Sequence, residues 1–218
     1  PLSTGAGIYL AEYAKKGLLT NFIRTCIEIL SSLPSVVVGL FGYLIFVVQF
    51  GYGFSILSGA LALTVFNLPQ MTRNVEDSLR HVHHTQREAG LALGLSRWET
   101  VLHVVIPEAL PGIVTGIVLA SGRIFGEAAA LIYTAGQSAP ALDWSNWNPL
   151  SVTSPISIFR QSETLAVHIW KVNSEGTIPD ATQVSAGSAA ILLIFILLFN
   201  LSARYIGKKL HAKMTSAA

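Results

Sequence analysis

Long uncharged runs alternate along this chain with shorter segments that carry nearly all of its charges. No charged residue lies between Glu28 and Arg73, or between Asp180 and Arg204. Because a helix needs about 20 apolar residues to cross a bilayer, the first run has room for two membrane spans and the second for one. The turn between the first two spans is expected at residues 49–53, where two glycines stand beside aromatic residues typical of membrane interfaces.

We therefore predict an all-α membrane protein that crosses the bilayer several times. The predicted spans cover residues 1–10 (the end of a span), 29–49, 54–71, 110–133 and 181–203. Composition supports this, because only 12% of the 218 residues are charged, whereas a soluble domain carries about 25%. Pro34 is expected to bend or delimit its helix. The first ten residues are too short to span a bilayer, and we expect the chain to lack an amino-terminal portion.

Arginine and lysine residues set the predicted orientation, because they concentrate in loops on the cytoplasmic side. Basic residues mark residues 11–25, the loop 72–109 and the tail 211–218 as cytoplasmic. Residues 134–180 contain three tryptophans and few basic residues, so we predict that they form a long external loop. Residues 1–210 would then form one transmembrane domain.

The segment from Glu88 to Pro107 is the only long amphipathic stretch between these runs. Four apolar residues recur in it at helical spacing and predict one helix face: Leu91, Leu95, Trp98 and Leu102. Gly90 and Gly94 are four residues apart, which favours the close approach of another backbone. Pro107 and Pro111 are expected to turn the chain back into the membrane. The pattern favours a helix at the membrane surface that is offered to a partner, with its neighbouring arginines in water.

The spacing of this segment resembles the cytoplasmic loop motif of ABC importer permeases. The matching residues are Glu88-Ala89-Gly90, Gly94 and Val104-x-Ile106-Pro107. In that family the loop forms a coupling helix, which docks in a groove of the ATP-hydrolysing subunit. The resemblance implies that these residues dock this chain on an ATPase. Trp98 would either anchor the helix in the ATPase groove or rest among lipid head groups.

A charged pair interrupts the predicted span 110–133. Arg123 and Glu127 are four residues apart, which would place them on one face of a helix. Charges inside a bilayer are costly and usually line a substrate path, although a purely structural ion pair would have the same spacing. Since the planar guanidinium matches the oxygens of phosphate or sulfate, we predict an anion pathway at Arg123, with Glu127 holding the guanidinium in place.

Residues 121–136, SGRIFGEAAALIYTAG, resemble the fifth helix of the phosphate permease family PstA. The stretches GIYLAEYAKKG, LPSVVVGLFGYLIF and PISIF resemble that family too. The resemblance implies a permease subunit of a type I ABC importer, which passes inorganic phosphate through the cell inner membrane and has no catalytic residues. It also implies the partners: a homologous PstC-like permease, two PstB-like ATPases that bind ATP and Mg²⁺, and a PstS-like phosphate-binding protein. No cofactor and no nucleic acid is expected on this chain.

Several alternatives remain open at this point. A permease of the same architecture for sulfate, molybdate or an amino acid would carry the same loop motif, and an ATP-independent channel or carrier would make that motif a coincidence. A metal-dependent intramembrane enzyme would use His81, His83 and His84, but these histidines have no carboxylate or cysteine at an obvious ligand spacing. We interpret them as a solvated cluster and predict no metal site. The sequence also lacks the GxxxxGK[ST] loop, so we expect no ATP hydrolysis by this chain.

Overall fold

The structure, a computed structural model, describes residues 1–175 and 179–215, and of Met214 and Thr215 only the backbone. Every regular element in these ranges is helical, which confirms the all-α fold. The α-helices are α1 (Leu2–Ile8), α2 (Leu18–Ser31), α3 (Ser35–Gly42), α4 (Ile56–Arg80), α5 (His84–Ala92), α6 (Arg97–Thr100), α7 (Ile106–Phe125), α8 (Ala129–Thr134), α9 (Leu165–Glu175) and α10 (Ala181–Thr215). Three π-helical segments extend them: Tyr9–Tyr13 after α1, Tyr43–Gln49 after α3, and Val101–Val105 between α6 and α7.

Two helices in the described part of the chain are long and apolar enough to cross a membrane. They are Arg97–Phe125, which joins α6, a π-helical segment and α7, and Ala181–Lys213 within α10. A third crossing results if α2 and the helix Ser35–Gln49, which follows it after a short break, form one span. These helices agree with an integral membrane protein.

The helix ends differ from the predicted spans where proline or charge intervenes. Pro34 separates α2 from α3 within the predicted span 29–49, because proline has no N–H and disfavours the helical conformation of the residue before it. α4 continues past residue 71 into the predicted loop, where its charged residues find ionic partners. The predicted span 110–133 is divided, since α7 ends at Phe125 and α8 is a separate short helix.

The predicted loop and tail after α8 also contain helices. The predicted external loop 134–180 includes α9, and its residues 176–178 lie outside the described residues. The predicted cytoplasmic tail is the end of α10 up to Thr215, and residues 216–218 lie outside the described residues.

The chain forms two compact units. The first comprises Pro1–Ser31, Asn67–Gly122 and the described part of Leu198–Ala218, and the second comprises Ser32–Phe66 and Arg123–Leu197. The core of the first unit joins the second half of α4 to the start of α7 through Val75, Leu79, Val82, Val105, Ala109 and Ile113. This core holds the carboxyl end of the predicted coupling segment, through Val105 and Ile106.

The second unit packs α3, α4 and α8 closely. A Cβ placed on Gly39 would lie 2.8 Å from the Cα of Ala130, and one on Gly42 would lie 2.9 Å from the Cβ of Ala62. Glycine at these positions lets the helices approach more closely than any side chain would allow. Leu131, Ala135 and Val167 form the buried apolar cluster of this unit.

Candidate functional site

The predicted coupling segment forms two short helices joined by a tight turn. α5 ends at Ala92, and α6 begins at Arg97. The single helix face predicted from Leu91 to Leu102 is therefore wrong, because the helix breaks in the middle of it. The sequence spacing was helical, but it did not reveal the turn.

Gly94 ends α5 through its backbone conformation. Its φ is +85°, a left-handed value that residues with a side chain rarely adopt. The N–H of Gly94 donates to the Leu91 carbonyl at 3.0 Å, and the N–H of Leu95 donates to the Gly90 carbonyl at 3.2 Å. This pair of bonds is a Schellman motif, which satisfies the last carbonyls of a helix. No described atom lies within 4 Å of a Cβ placed on Gly94, so this glycine serves the turn and not the close approach predicted for it.

Ser96 begins α6 two residues later. Its hydroxyl accepts a hydrogen bond from the N–H of Glu99 at 3.3 Å, and its own N–H donates to the Glu99 carboxylate at 2.7 Å. This reciprocal pair is a capping box. A glycine followed by S-x-x-E is a stop signal and a start signal that can be read from sequence, and the sequence analysis missed it.

Gly90 makes the close contact between the two helices. It is buried, and a Cβ placed on it would lie 2.8 Å from Cγ2 of Thr100 and 3.1 Å from its hydroxyl oxygen. Thr100 is itself buried in α6. The close approach predicted for Gly90 therefore occurs inside the chain, where it folds α5 against α6.

The outer surface of this helix pair is apolar at its tip. Leu93 is 83% exposed, Trp98 is 54% exposed and Leu91 is 50% exposed, and Glu88 and Ala89 are exposed beside them. Exposed apolar side chains grouped on one surface are typical of a protein contact. Leu93 is not among the predicted docking residues, although its place directly before the helix-stop glycine puts it on the exposed turn.

Arg87 fastens α5 to two other elements of the first unit. Its Nη2 donates to the Glu12 carboxylate at 2.7 Å and to the Leu79 carbonyl at 2.6 Å, and its Nη1 donates to the Val82 carbonyl at 2.5 Å. The expectation that Arg87 lies in water is wrong, because its side chain is only 19% exposed and that of Glu12 only 8%. The guanidinium satisfies carbonyls at and just beyond the carboxyl end of α4, where a cation is favoured.

Arg97 fastens α6 to the same place. Its Nη2 donates to the backbone carbonyl of Glu12, and its guanidinium lies over the ring of Tyr13 at 5.1 Å from the centroid. Both helices of the coupling segment are thus tied to the π-helical segment Tyr9–Tyr13. Sequence spacing gave no signal for this, because Glu12 is 75 residues from Arg87.

The prolines at the end of the segment do not turn the chain. The helix Arg97–Phe125 runs through Pro107 and Pro111 without a break, which corrects the predicted turn. The π-helical segment before Pro107 has a wider bond, from the N–H of Ile106 to the Val101 carbonyl. Such a bulge is a common way for a helix to accommodate a residue that cannot donate.

Arg123 and Glu127 do not share a helix face. α7 ends at Phe125, and Glu127 lies in the break before α8, which corrects the predicted helical pair. Arg123 places its guanidinium over the ring of Phe66, 4.3 Å from the centroid. Glu127 is buried and accepts a hydrogen bond from the N–H of Ala130 at 3.2 Å, at the start of α8.

The histidine cluster makes local contacts. Nδ1 of His81 lies 2.6 Å from the Asp77 carbonyl, and Nδ1 of His84 lies 3.1 Å from the Glu88 carboxylate. In the described ranges, no group of three or more His, Cys, Asp or Glu side chains is placed to hold a metal ion.

The chain matches a family of membrane transport proteins over nearly its whole length. Residues 3–216 match the family described as the binding-protein-dependent transport system inner membrane component. The probable ABC transporter permease protein YqgI of Bacillus subtilis (strain 168) is 57% identical over 216 residues, which cover 99% of this chain and 74% of that protein.

The chain is also similar to phosphate transport system permease proteins. PstA of Yersinia pestis is 38% identical over 97% of this chain and 67% of its own length. PstA 2 of Mycobacterium tuberculosis (strain CDC 1551 / Oshkosh) is 37% identical over 90% of this chain, which spans 61% of that relative. Among solved structures, the inward-facing MetNI methionine ABC transporter superposes with a TM-score of 0.69 over 95% of this chain and 85% of its own. At 19% identity, that likeness shows the fold.

Proposed function

Since this chain belongs to the family of binding-protein-dependent transport system inner membrane components, we propose that it is the permease subunit of a phosphate importer. The family makes it a membrane subunit of a type I ABC importer without catalytic activity of its own. Phosphate as the solute is supported by PstA relatives that are 32–38% identical over most of the chain. ATP and Mg²⁺ would bind to partner ATPases.

The observation that carries the proposal is the exposed apolar tip of the α5–α6 pair. Leu91 on α5, Leu93 on the turn and Trp98 on α6 are exposed, and Gly94 and Ser96 fix the turn between the two helices. A rigid turn with an apolar tip suits insertion into a groove of a partner, because little conformational entropy is lost when it binds. Glu88 and Ala89, exposed on α5, would complete the docking surface.

The contacts behind this tip would transmit movement to the membrane helices. α6 continues into α7, so a push on the tip acts on one helix of 29 residues, which is about 40 Å long. Arg87 and Arg97 tie the same tip to Glu12 and, through Leu79, to α4. ATP binding can shift the transporter only if the partner ATPases bind one conformation more tightly than the other.

Arg123 is our candidate for the anion pathway. Its guanidinium can pair with two oxygens of a phosphate at once, which the ammonium of lysine cannot. The ring of Phe66 orients this guanidinium through a contact on its face. Glu127 would hold this guanidinium in place. Its carboxylate also accepts the N–H of Ala130 at the start of α8.

The test uses the complete complex in proteoliposomes: this permease, its homologous PstC-like permease, two PstB-like ATPases and the PstS-like binding protein. ATP hydrolysis is measured with phosphate, sulfate, molybdate, an amino acid or no solute. We expect stimulation by phosphate alone. Stimulation by another solute would keep the permease and overturn phosphate as its substrate.

Three variants test the docking surface, and one pair of variants tests the pathway. Leu93→Asp should release the ATPases during purification, whereas Leu93→Met, which keeps an apolar side chain, should retain them. Gly94→Glu should abolish stimulation, because it distorts the turn. Retention of the ATPases by Leu93→Asp, with normal stimulation, would contradict docking at this tip.

Arg123→Gln should abolish phosphate transport while the ATPases remain bound, and Arg123→Lys should keep part of the phosphate transport.

A further inference from the structure

Pro107 and Pro111 leave a gap in the hydrogen bonding of α7. In an α-helix, the carbonyl of each residue accepts the N–H of the residue four positions later. Position 111 is a proline and has no N–H. The carbonyl of Pro107, the last residue of the loop motif, therefore cannot receive its regular helical bond.

A side chain from another helix reaches this carbonyl. Nδ1 of His211, in α10, lies 3.0 Å from the Pro107 oxygen. Because a carbonyl oxygen only accepts, the imidazole must carry a proton on Nδ1 and donate it. His211 thus supplies the donor that Pro111 lacks, across 104 positions of the sequence.

The neighbouring turn of α10 is in close contact with α7. Gly207 is buried one helical turn before His211, and a Cβ placed on it would lie 2.5 Å from Cγ1 of Val114. The contact between the two helices is therefore tight enough to keep the imidazole near the carbonyl. Both contacts lie within the first unit.

We propose that His211 is a positioning residue that fixes the end of α10 to the end of the coupling segment through the Pro107 carbonyl. The inference rests on the proposed function, because it assigns to α10 a share in the movement that the docked ATPases impose on α6 and α7. The chemistry requires one N–H donor at the position of Nδ1 and a carbonyl that a proline has left without its helical partner.

The test is a double-mutant cycle in the complete complex. His211→Leu removes the donor, and Pro111→Ala returns an N–H to the helix so that the Pro107 carbonyl no longer needs His211. His211→Asn is the conservative control, because its amide nitrogen lies close to the position of Nδ1. One readout is solute-stimulated ATP hydrolysis. The other is the distance between spin labels at Lys209 and Glu108, in a background in which Cys26, the one native cysteine, is replaced by alanine.

We expect His211→Leu to lower solute-stimulated ATP hydrolysis about threefold to tenfold, the equivalent of one hydrogen bond. It should also broaden the distribution of distances between the two spin labels. His211→Asn should restore both readouts. In the Pro111→Ala background, His211→Leu should change hydrolysis less than about twofold. Equal effects of His211→Leu in both backgrounds, or failure of His211→Asn to restore the distance, would overturn the inference.

The two readouts separate this inference from the proposed function. If a solute other than phosphate stimulates the wild-type complex, that solute replaces phosphate in the cycle. If no solute stimulates it, the proposed function fails, and the label distance, which requires neither solute nor ATP, decides whether His211 holds α10 to α7. An unchanged distance in His211→Leu would overturn the inference whatever the substrate.

Discussion

Different kinds of contact stabilise the interior of each of the two units. In the first, charged side chains join distant segments, as Arg87 does with Glu12 and Arg24 with Glu76. In the second, helices approach closely at Gly39, which lies against the backbone of Ala130, and at Gly42, which lies against the methyl groups of Ala62 and Thr134. The ionic contacts lie in segments predicted to be cytoplasmic, whereas the glycine contacts lie in predicted membrane spans. Where lipid removes the hydrophobic drive for helices to associate, close packing of small residues takes the place of charge.

The largest effect is expected at Glu76, whose carboxylate is shared by Arg24 at 2.8 Å and Arg80 at 2.9 Å. Its side chain is only 7% exposed, so Glu76→Gln leaves two guanidinium groups without a nearly buried counter-charge. We expect a loss of about 2 to 4 kcal/mol in the free energy of unfolding, somewhat below the cost of breaking a fully buried pair because both arginines reach solvent. The measurement is thermal unfolding of the purified complex in detergent.

Asp77 provides the matched control for Glu76. It is 56% exposed and lies 3.8 Å from Arg73, so Asp77→Asn should change the unfolding free energy by less than about 1 kcal/mol. Equal losses for the two neighbouring carboxylates would show that burial does not decide the strength of the ionic contacts in the first unit.

The corresponding test in the second unit is Gly39→Ala. The new methyl group would lie 2.8 Å from the Cα of Ala130, and backbone cannot move aside as a flexible side chain can. We expect overpacking to cost about 1 to 3 kcal/mol of unfolding free energy. Gly187→Ala, in α10, has no described atom within 4 Å of its Cβ and should be neutral or stabilising by up to about 1 kcal/mol. If both variants melted alike, close approach would not be what holds α3 to α8.

A smaller effect is expected within the coupling segment, from Gly90→Ala. The Cβ of alanine at this position would lie 2.8 Å from Cγ2 of Thr100. We expect a loss of about 1 kcal/mol and weaker retention of the ATPases in a pull-down. Thr100→Ala in the same chain should restore retention, because it removes the opposing methyl and hydroxyl. A double variant no better than Gly90→Ala alone would mean that Thr100 is not the obstacle.

The sequence predicted the fold class correctly because it depends on local pattern, and the coupling role of Glu88–Pro107 stays a prediction that rests on the motif. Uncharged runs reveal apolar helices, and the spacing from Glu88 to Pro107 reveals the motif. The turn at Gly94 was predictable as well, since a glycine before S-x-x-E is a local signal. The exposure of its neighbour Leu93 follows from that turn.

The anchors of the coupling segment were not predictable from one sequence. Arg87 and Glu12 meet only because α5, the end of α4 and the π-helical segment Tyr9–Tyr13 pack together, and Arg87 looks in sequence like any solvated cation. His211 and Pro107 are separated by 104 positions, and Pro111 shows only that a donor is lacking, not which side chain supplies it. The predicted shared helix face of Arg123 and Glu127 was wrong because four-residue spacing implies a shared face only if the helix continues, and α7 ends at Phe125.

The smallest effect is expected in the predicted external loop, at Asp143. The hydroxyl and the N–H of Ser145 donate to its carboxylate, and these bonds lower the pKa of Asp143 below its ordinary value. Because the folded-state pKa is the lower one, the carboxylate stabilises the loop above its ordinary pKa, and this stabilisation is lost as the pH falls through the lowered value. Unlike the ionic contacts of the first unit, this one is fully exposed, so it should order one turn without holding the unit together.

Trp144, next in the chain, can report this titration. In a variant whose other three tryptophans are phenylalanine, fluorescence of Trp144 should change with a midpoint below about 3.9, the usual pKa of aspartate. Ser145→Ala removes the hydroxyl donor and should raise that midpoint, while Ser138→Ala, whose hydroxyl donates to Gln161 instead, should leave it in place. A midpoint that does not rise in Ser145→Ala would mean that the hydroxyl does not hold the Asp143 carboxylate. The exposed turn would then depend on its backbone bonds alone.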